Sequence, residues 1–251
     1  IFNKFLYRIL TDKLIAISFA VFDVYKKNNV LGGKLDDVEV VYSSIDLEKY
    51  EKADPSKEEV EEVISGSLES SFLILNIGRL AKEKGQKYLI EMVSKIADRI
   101  KLKVLILGEG PLYDSLRELT VRLGVQDLVI FGGLRRNVAS FLRYSDLFVF
   151  TSISEGLGTS LIEAGYFGRP LLAFKVGGIE EVVRSGKNGL LVKPCDTEEM
   201  SLFVKELLLS PKRRRVMGLN GRRIALSRFT PERLVESNIR IYKTLLGIDL
   251  S

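Results

Sequence analysis

From residue 72 onward, short apolar runs alternate with charged stretches of helical spacing. The runs are "FLILNI" (72–77), "KVLILG" (103–108), "LVIF" (128–131), "LFVF" (147–150), "LLAF" (171–174) and "GLLV" (189–192). Runs this short, apolar at successive positions, are what strands buried on both faces look like, and the segments between them supply the crossovers that parallel strands need. The pattern predicts an α/β fold, a Rossmann-like doubly wound parallel sheet. Three helix starts set the register: Thr197 before "EEMSLFVKELLL", Pro211 opening "KRRRVMGLNGRR", and Thr230-Pro231 opening "ERLVESNIRIYKTLLG".

The first 70 residues are patterned differently. "IFNKFLYRILTDKLIAISFAVFDVYKKNNV" predicts a helix, a short strand "LIAIS" (14–18) and a second helix, and "VEVVY" (38–42) predicts another short strand. The polar stretch that follows holds Pro55, ends in small residues, and contains a helix over 56–64; it marks a domain boundary within 43–70.

Composition narrows the chemistry. With 46% hydrophobic residues in 251, the chain can build a packed core. Cys195 is the one cysteine and histidine is absent, so a disulfide framework and a Cys-rich zinc site are excluded, and the commonest metal ligand and general base are missing. Chemistry must rest on carboxylates, Lys, Arg and backbone. A net charge of +5 and a pI near 9.1 suit an anionic partner without choosing one. No apolar run approaches the roughly 20 residues that span a bilayer. The N-terminus lacks a secretory pattern, and the chain reads as cytosolic. It begins with Ile1, so a fragment with sequence missing upstream is expected.

In an open parallel sheet, ligands sit beyond the carboxyl ends of the strands, which makes the loops after the apolar runs the places to inspect. After 72–77, "GRLAKEKGQ" turns at Gly78 and ends at Gly85, presenting Arg79 and Lys84; two cations suit a diphosphate. Lys82, Glu83 and Lys87 share the loop, so it also reads as a solvated basic turn. After 103–108, "GEGPLYDSL" brings Gly108, Glu109 and Gly110 to a helix start, where bare backbone can approach a phosphate or sugar. Tyr113 stands where a dinucleotide fingerprint needs its third glycine, which disfavours a nicotinamide oxidoreductase. After 128–131, Gly132 and Gly133 open main chain to a flat ligand edge, and Leu134 offers an apolar wall for a base. Arg135 and Arg136 read as surface charges.

The loop "SEGLGTSLIEA" holds two acids eight positions apart, Glu155 and Glu163. Ser160 and Glu163 have the S-x-x-E spacing of a capping box, in which a first-turn carboxylate contributes roughly 0.3–1 kcal/mol without any ligand. Glu155 lies in the glycine loop as an exposed acid with no local partner. The amides of residues 156–160 present a positive end to an anion, and the two carboxylates accept hydrogen bonds from sugar hydroxyls. An anion carrying hydroxyls describes a nucleotide sugar.

In order and spacing, "GRLAKEKG", "LGEGP", "VIFGG", "YSDLFVFTSISEGLGTSLIEAGYFGRPLLAF" and "VGGIEEVVRSGKNGLLV" resemble the donor half of the retaining glycosyltransferases of family 4, which have the GT-B fold. The resemblance is close over 72–192. It implies a remnant of the acceptor-side domain over 1–45, a linker over 46–70, a nucleotide-sugar-binding domain over 71–228, and a C-terminal helix over 229–251 crossing back toward the first domain. The catalytic residues it implies are Arg79 and Lys84, which contact the donor diphosphate and stabilise the leaving group, and Glu155, which binds hydroxyls of the transferred sugar. Glu163 would hold the ribose. Gly78, Gly108, Glu109, Gly110, Gly156, Leu157, Gly158, Thr159 and Ser160 would meet phosphate and sugar oxygens, and Gly132 and Leu134 the base. No metal and no cofactor are expected beyond the nucleoside-diphosphate sugar, because cations and helix N-termini do the neutralising.

Three departures stand out. "YSSID" (42–46) replaces an Asn-Gly-containing hinge. Gly165, Tyr166 and Phe167 replace an Ala-Met-Ala type of helix, which should change packing more than chemistry. The resemblance implies that the acceptor-binding domain is almost wholly missing, so this chain alone is expected to bind the donor without turning over. The alternative is a binding module whose partner chain supplies the acceptor site, with a glycan or lipid-linked glycan as acceptor. Nucleic acid is not expected as a partner. The basic residues Lys212 to Arg215, Arg222 and Arg223 read as a solvated helical face or as a contact with anionic lipid at the inner face of a membrane.

Overall fold

The structure, a computed structural model, describes residues 11–28 and 38–248. Strands β1 (Leu14–Ala16) and β2 (Val38–Val40) pair in parallel as a small sheet. The main sheet is six-stranded and parallel throughout: β3 (Phe72–Ile77), β4 (Leu102–Leu107), β5 (Val129–Gly133), β6 (Leu147–Phe150), β7 (Leu171–Phe174) and β8 (Gly189–Val192). Every apolar run expected to be a strand is one. The end of β4 retreats to Leu107 because Gly108 turns away at φ 140°, and β5 extends to Gly133, where the register shifts between Ile106 and Leu107 of its neighbour. "LIAIS" is strand only to Ala16, because Ser18 caps the following helix with its hydroxyl accepting from Val21 N at 3.1 Å. The helix expected before it falls outside the described residues.

The strand order is β5-β4-β3-β6-β7-β8. The chain winds outward from β3 through β4 to β5, then returns to β6 on the other side of β3. That reversal is the topological switch point of a doubly wound sheet, and it opens a crevice at the carboxyl ends of β3 and β6. Successive strand residues face opposite layers, and both layers are apolar. Leu73, Leu75, Phe148 and Phe150 face one layer, while Ile74, Leu147 and Val149 face the other. Burying each such side chain contributes roughly 1.5–3 kcal/mol, so sequence runs without alternation become a sheet covered on both sides.

The helices are α1 (Phe19–Lys27), α2 (Leu47–Glu51), α3 (Lys57–Val63), α4 (Gln86–Ser94), α5 (Tyr113–Arg122), α6 (Ala139–Tyr144), α7 (Thr159–Tyr166), α8 (Ile179–Val182), α9 (Thr197–Leu209), α10 (Pro211–Arg228) and α11 (Pro231–Leu246). Helices α3, α6, α7 and α8 cover one face, and α4, α5 and α9 the other. Pro211 and Pro231 open their helices as expected, and Thr230 caps α11. At α9 the cap is Asp196 rather than Thr197: its carboxylate accepts from Glu199 N at 2.9 Å, and Thr197 is already helical.

Segment 46–70 is folded onto the sheet. Ser56 caps α3, Asp46 caps the unexpected short α2, and Tyr50, Val60 and Ile64 are buried in the core. The β1–β2 unit is tied to the larger sheet through Glu181 in α8. Its carboxylate accepts from Phe19 N and Ala20 N, both at 3.0 Å, and from the Tyr42 hydroxyl at 2.8 Å. Arg228 donates to Tyr42 Oη at 2.9 Å and to the Glu181 carbonyl at 2.6 Å.

Candidate functional site

The loops leaving β3 and β6 are joined by main chain at the switch point. Ile153 N donates to Glu83 O at 2.8 Å and Thr151 Oγ1 to Lys84 O at 3.1 Å. Gly85 (φ 62°) passes so close to β6 that a Cβ there would lie 2.2 Å from Thr151 O. This contact aims Lys84 across the crevice, where its Nζ meets Glu155 Oε2 at 2.5 Å and stands 5.6 Å from the Phe150 ring centroid. The two side chains are 25% and 17% exposed. The expectation that Glu155 is exposed is therefore corrected, while its partner is, as expected, not a local one. Its partner lies 71 residues away and reaches it only through the sheet. Behind Glu155, the turn after β7 closes in: Gly178 N donates to Glu155 O at 3.3 Å, and a Cβ on Gly177 (φ 49°) would sit 1.9 Å from the same oxygen.

The capping box expected of Ser160 and Glu163 does not form. Gly158, at φ 81°, is the N-cap of α7, so the helix starts at Thr159, Ser160 falls inside the first turn, and no side chain caps it. Glu163 is thus released from the helix end. Its Oε1 accepts from the Tyr50 hydroxyl at 2.6 Å. Burial pushes the Glu163 carboxyl above the usual carboxylate range, with the Tyr50 hydrogen bond and the Lys49 charge pulling it partly back. Burial, and then the Glu163 charge, raise the Tyr50 hydroxyl as well. The ring of Tyr50 is held by Phe167, edge-on at 5.1 Å, and by Tyr166 at 6.0 Å. The aromatic pair that departs from the family pattern therefore packs the residue that orients a site carboxylate.

Beside β3, β4 and β5, a cleft of about 370 Å³ is lined by Gly78, Arg79, Gly108, Glu109, Leu134 and Arg135, among others. Leu134 is 70% exposed, as an apolar wall should be. Arg135 is exposed, as expected of a surface charge, and at the rim of the cleft its Nε donates to Gly132 O at 2.9 Å. The cleft and the Lys84–Glu155 pair adjoin at Gly78, where a Cβ would lie 3.9 Å from Lys84 Cγ and Cδ. Several other residues expected to meet a ligand are also closely packed. A Cβ on Gly110 would come 2.4 Å from Leu80 O, and one on Gly132 would strike Leu107 at 2.6 Å. The Leu157 side chain is buried in the core and has only main chain to offer a ligand. Gly156 lies under Ile17, whose Cδ1 would be 2.9 Å from an added Cβ. Thr159 and Ser160 form the first turn of α7, whose leading N–H groups lack intrahelical partners.

Tyr50, Ile17, Gly177 and Gly178 were not identified as site residues from the sequence. The adjoining "VGG" and "YSSID" segments were visible, but nothing local marks which atoms they touch. Three buried side-chain atoms near the switch point, Asn76 Oδ1, Gln86 Oε1 and Ser152 Oγ, have no hydrogen-bond partner among the described residues.

Fold and site together define a Rossmann-like α/β domain with its polar groups gathered at the switch point. A sequence model of the family described as "Glycosyl transferases group 1" matches residues 57–224, and the chain belongs to that family. It is 32% identical over 213 residues to N-acetyl-alpha-D-glucosaminyl L-malate synthase of Bacillus anthracis, covering 85% of this chain and 55% of that protein. It is 29% identical over 176 residues to alpha-D-kanosaminyltransferase of Streptomyces kanamyceticus, covering 69% of this chain and 46% of that one. The chain thus spans about half the length of these curated relatives. Among solved structures, Anabaena Alr3699/HepE in complex with UDP superposes with a TM-score of 0.83 at 25% identity, over 96% of this chain and 65% of that one. The glycosyltransferase WaaG, involved in lipopolysaccharide biosynthesis, shares the fold at a TM-score of 0.79 and 20% identity, over 90% of this chain and 62% of that one. The sheet is that of the GT-B glycosyltransferases.

Proposed function

We propose that this chain is the donor-binding half of a retaining glycosyltransferase of family 4 that transfers a sugar, of hexose type, from a nucleoside-diphosphate sugar. The observation that carries the proposal is the meeting of Lys84 and Glu155 across the switch point at 2.5 Å, beside a cleft holding Arg79 and an apolar wall. Arg79 and Lys84 receive the diphosphate and neutralise the charge that develops as it leaves, in place of a metal. Glu155, freed from Lys84 when the diphosphate arrives, accepts from hydroxyls of the transferred sugar. Glu163, held by Tyr50, accepts from the ribose. Amides at the start of α7 meet phosphate oxygens, and Leu134 flanks the base. The UDP in the Anabaena HepE structure supports a nucleotide as part of the donor. Retention of configuration rests on the family resemblance.

The acceptor wall is supplied by a domain upstream, with domain limits as the resemblance implies, or by a partner chain. Supporting this, α11 leaves Val235, Ile239, Tyr242 and Leu245 exposed, and α1 leaves Phe19 and Val24 exposed. The acceptor class that fits is a glycan or lipid-linked glycan, met in the cytoplasm at the inner membrane face. No helix among the described residues is long and apolar enough to cross a membrane. A thermal-shift panel of UDP, GDP, ADP and their sugars tests the reading, since a ligand at 100 times its dissociation constant adds roughly 2.7 kcal/mol. One nucleotide and its sugar should stabilise the chain, with or without a chelator. Multiple turnover should need a longer chain carrying the acceptor side, and the absence of any nucleotide effect would overturn the proposal.

A further inference from the structure

A second cleft, also about 370 Å³, lies at the opposite edge of the sheet. It sits where residues 145–146 enter β6 and residues 169–170 enter β7, at the amino ends of the strands. Its lining includes Arg143, Arg169, Arg214, Arg215 and Arg222 against a single carboxylate, Asp146. That carboxylate is already engaged, with Oδ2 accepting from Leu73 N at 3.0 Å and Oδ1 lying 3.6 Å from Arg214 Nη2.

Two of the arginines are built into the fold. Arg169 donates from Nη1 to Ser145 O at 2.6 Å and from Nε to Phe167 O at 3.1 Å. Arg214 donates to Leu207 O at 2.9 Å and also to Leu208 O. Carbonyls fix the direction of each guanidinium without cancelling its charge, and a guanidinium has five N–H groups, so donors remain. Arg222 lies over the Tyr166 ring at 4.9 Å. Arg143 and Arg215 are exposed and make no hydrogen bond or ion pair among the described residues. Burial lowers the Arg169 pKa, and the charges of Arg143 and Arg214 push it the same way, while Asp146 pulls it partly back. Gathering like charges in a concave site costs stability unless an anion relieves it.

We propose that this amino-edge cleft binds a phosphate group, as an anion site separate from the donor site. A tetrahedral dianion with several acceptor oxygens matches guanidinium forks arriving from α6, from the turn before β7 and from α10. The group belongs either to a soluble phosphate compound or to a phospholipid headgroup, and the chemistry of recognition is the same.

The test uses the whole chain carrying Lys84→Ala, which weakens the donor site, and titrates it with inorganic pyrophosphate by calorimetry. The same titration is repeated with Arg143→Ala and Arg215→Ala added; both side chains are exposed, so the fold should hold, as circular dichroism would verify. Pyrophosphate affinity should fall by at least about tenfold on losing two charge-assisted partners. In parallel, co-sedimentation with phosphatidylcholine vesicles is measured with and without phosphatidic acid. Pyrophosphate binding that depends on Arg143 and Arg215 supports the site with a soluble source. Binding only to phosphatidic acid vesicles, lost in the double variant, supports it with a lipid source. No binding to either probe, or binding indifferent to the two arginines, overturns it. UDP binding by the Arg143→Ala, Arg215→Ala chain with Lys84 intact reports on the donor site alone, so the two readings fail separately.

Discussion

The two edges of the main sheet manage charge in opposite ways. At the carboxyl edge the two acids of the glycine loop and its helix each have a partner: Lys84 meets Glu155, and the Tyr50 hydroxyl donates to Glu163. At the amino edge five arginines line a cleft with one aspartate, and two of them, Arg169 and Arg214, donate to backbone carbonyls instead. The acids of the carboxyl edge are thus partnered from within, whereas the amino-edge cleft carries an excess of positive charge. Both depend on glycine to bring main chains together, Gly177 on Glu155 O at one edge and Gly218 on Gly168 O at the other. Charge balance distinguishes the edges, while close packing is common to both.

The sharpest way to break this contrast is Lys84→Ala. It removes the proposed diphosphate partner and takes from Glu155 its ion-pair partner in a half-buried site. Charge-assisted hydrogen bonds contribute about 1.5–3 kcal/mol, so nucleoside-diphosphate affinity should fall at least about tenfold by calorimetry. Arg143→Ala should leave that affinity unchanged, and equal losses would erase the distinction between the edges.

Gly177→Ala and Gly218→Ala compare what the edges share. An added Cβ would lie 1.9 Å from Glu155 O in the first and 2.0 Å from Gly168 O in the second. Each should cost about 1–3 kcal/mol in denaturant unfolding, and only Gly177→Ala should also weaken nucleotide binding.

Glu163→Gln tests the internal balance by pH. Because burial raises the folded-state carboxyl above its unfolded value, its contribution to stability is complete below the ordinary carboxylate pKa. That contribution is lost as pH rises through the raised value. The variant should lack this loss, melting higher than the parent at neutral pH while binding both bare nucleotide and nucleotide sugar more weakly. A lower melting temperature at neutral pH would show that ionised Glu163 stabilises the fold. Tyr50→Phe should act more gently, lowering nucleotide affinity by about 0.5–1.5 kcal/mol through a less oriented Glu163. Ser152→Ala, removing a buried hydroxyl with no partner among the described residues, should change stability least and in the favourable direction.

Most of the main sheet was legible in the sequence because a strand buried on both faces has a local signature, and six such runs with helical spacers leave few other folds. Proline and Thr230 marked helix starts for an equally local reason. The misses share one cause. Ser160 has the right spacing for a cap, yet Gly158, with no Cβ to oppose φ 81°, starts the helix earlier. Glu155 and Glu163 were recognisable as a pair of acids, whereas their partners lie 71 and 113 residues away. The sequence by itself determined the strands, the loops at their carboxyl ends and the residue types those loops carry, since these depend on neighbours within a few positions. Only the tertiary structure decided that Lys84 closes on Glu155, that Tyr50 holds Glu163, and that arginines from three elements converge at the far edge. Each of those depends on which strands lie side by side, and that follows from burying both faces of one sheet rather than from any local pattern.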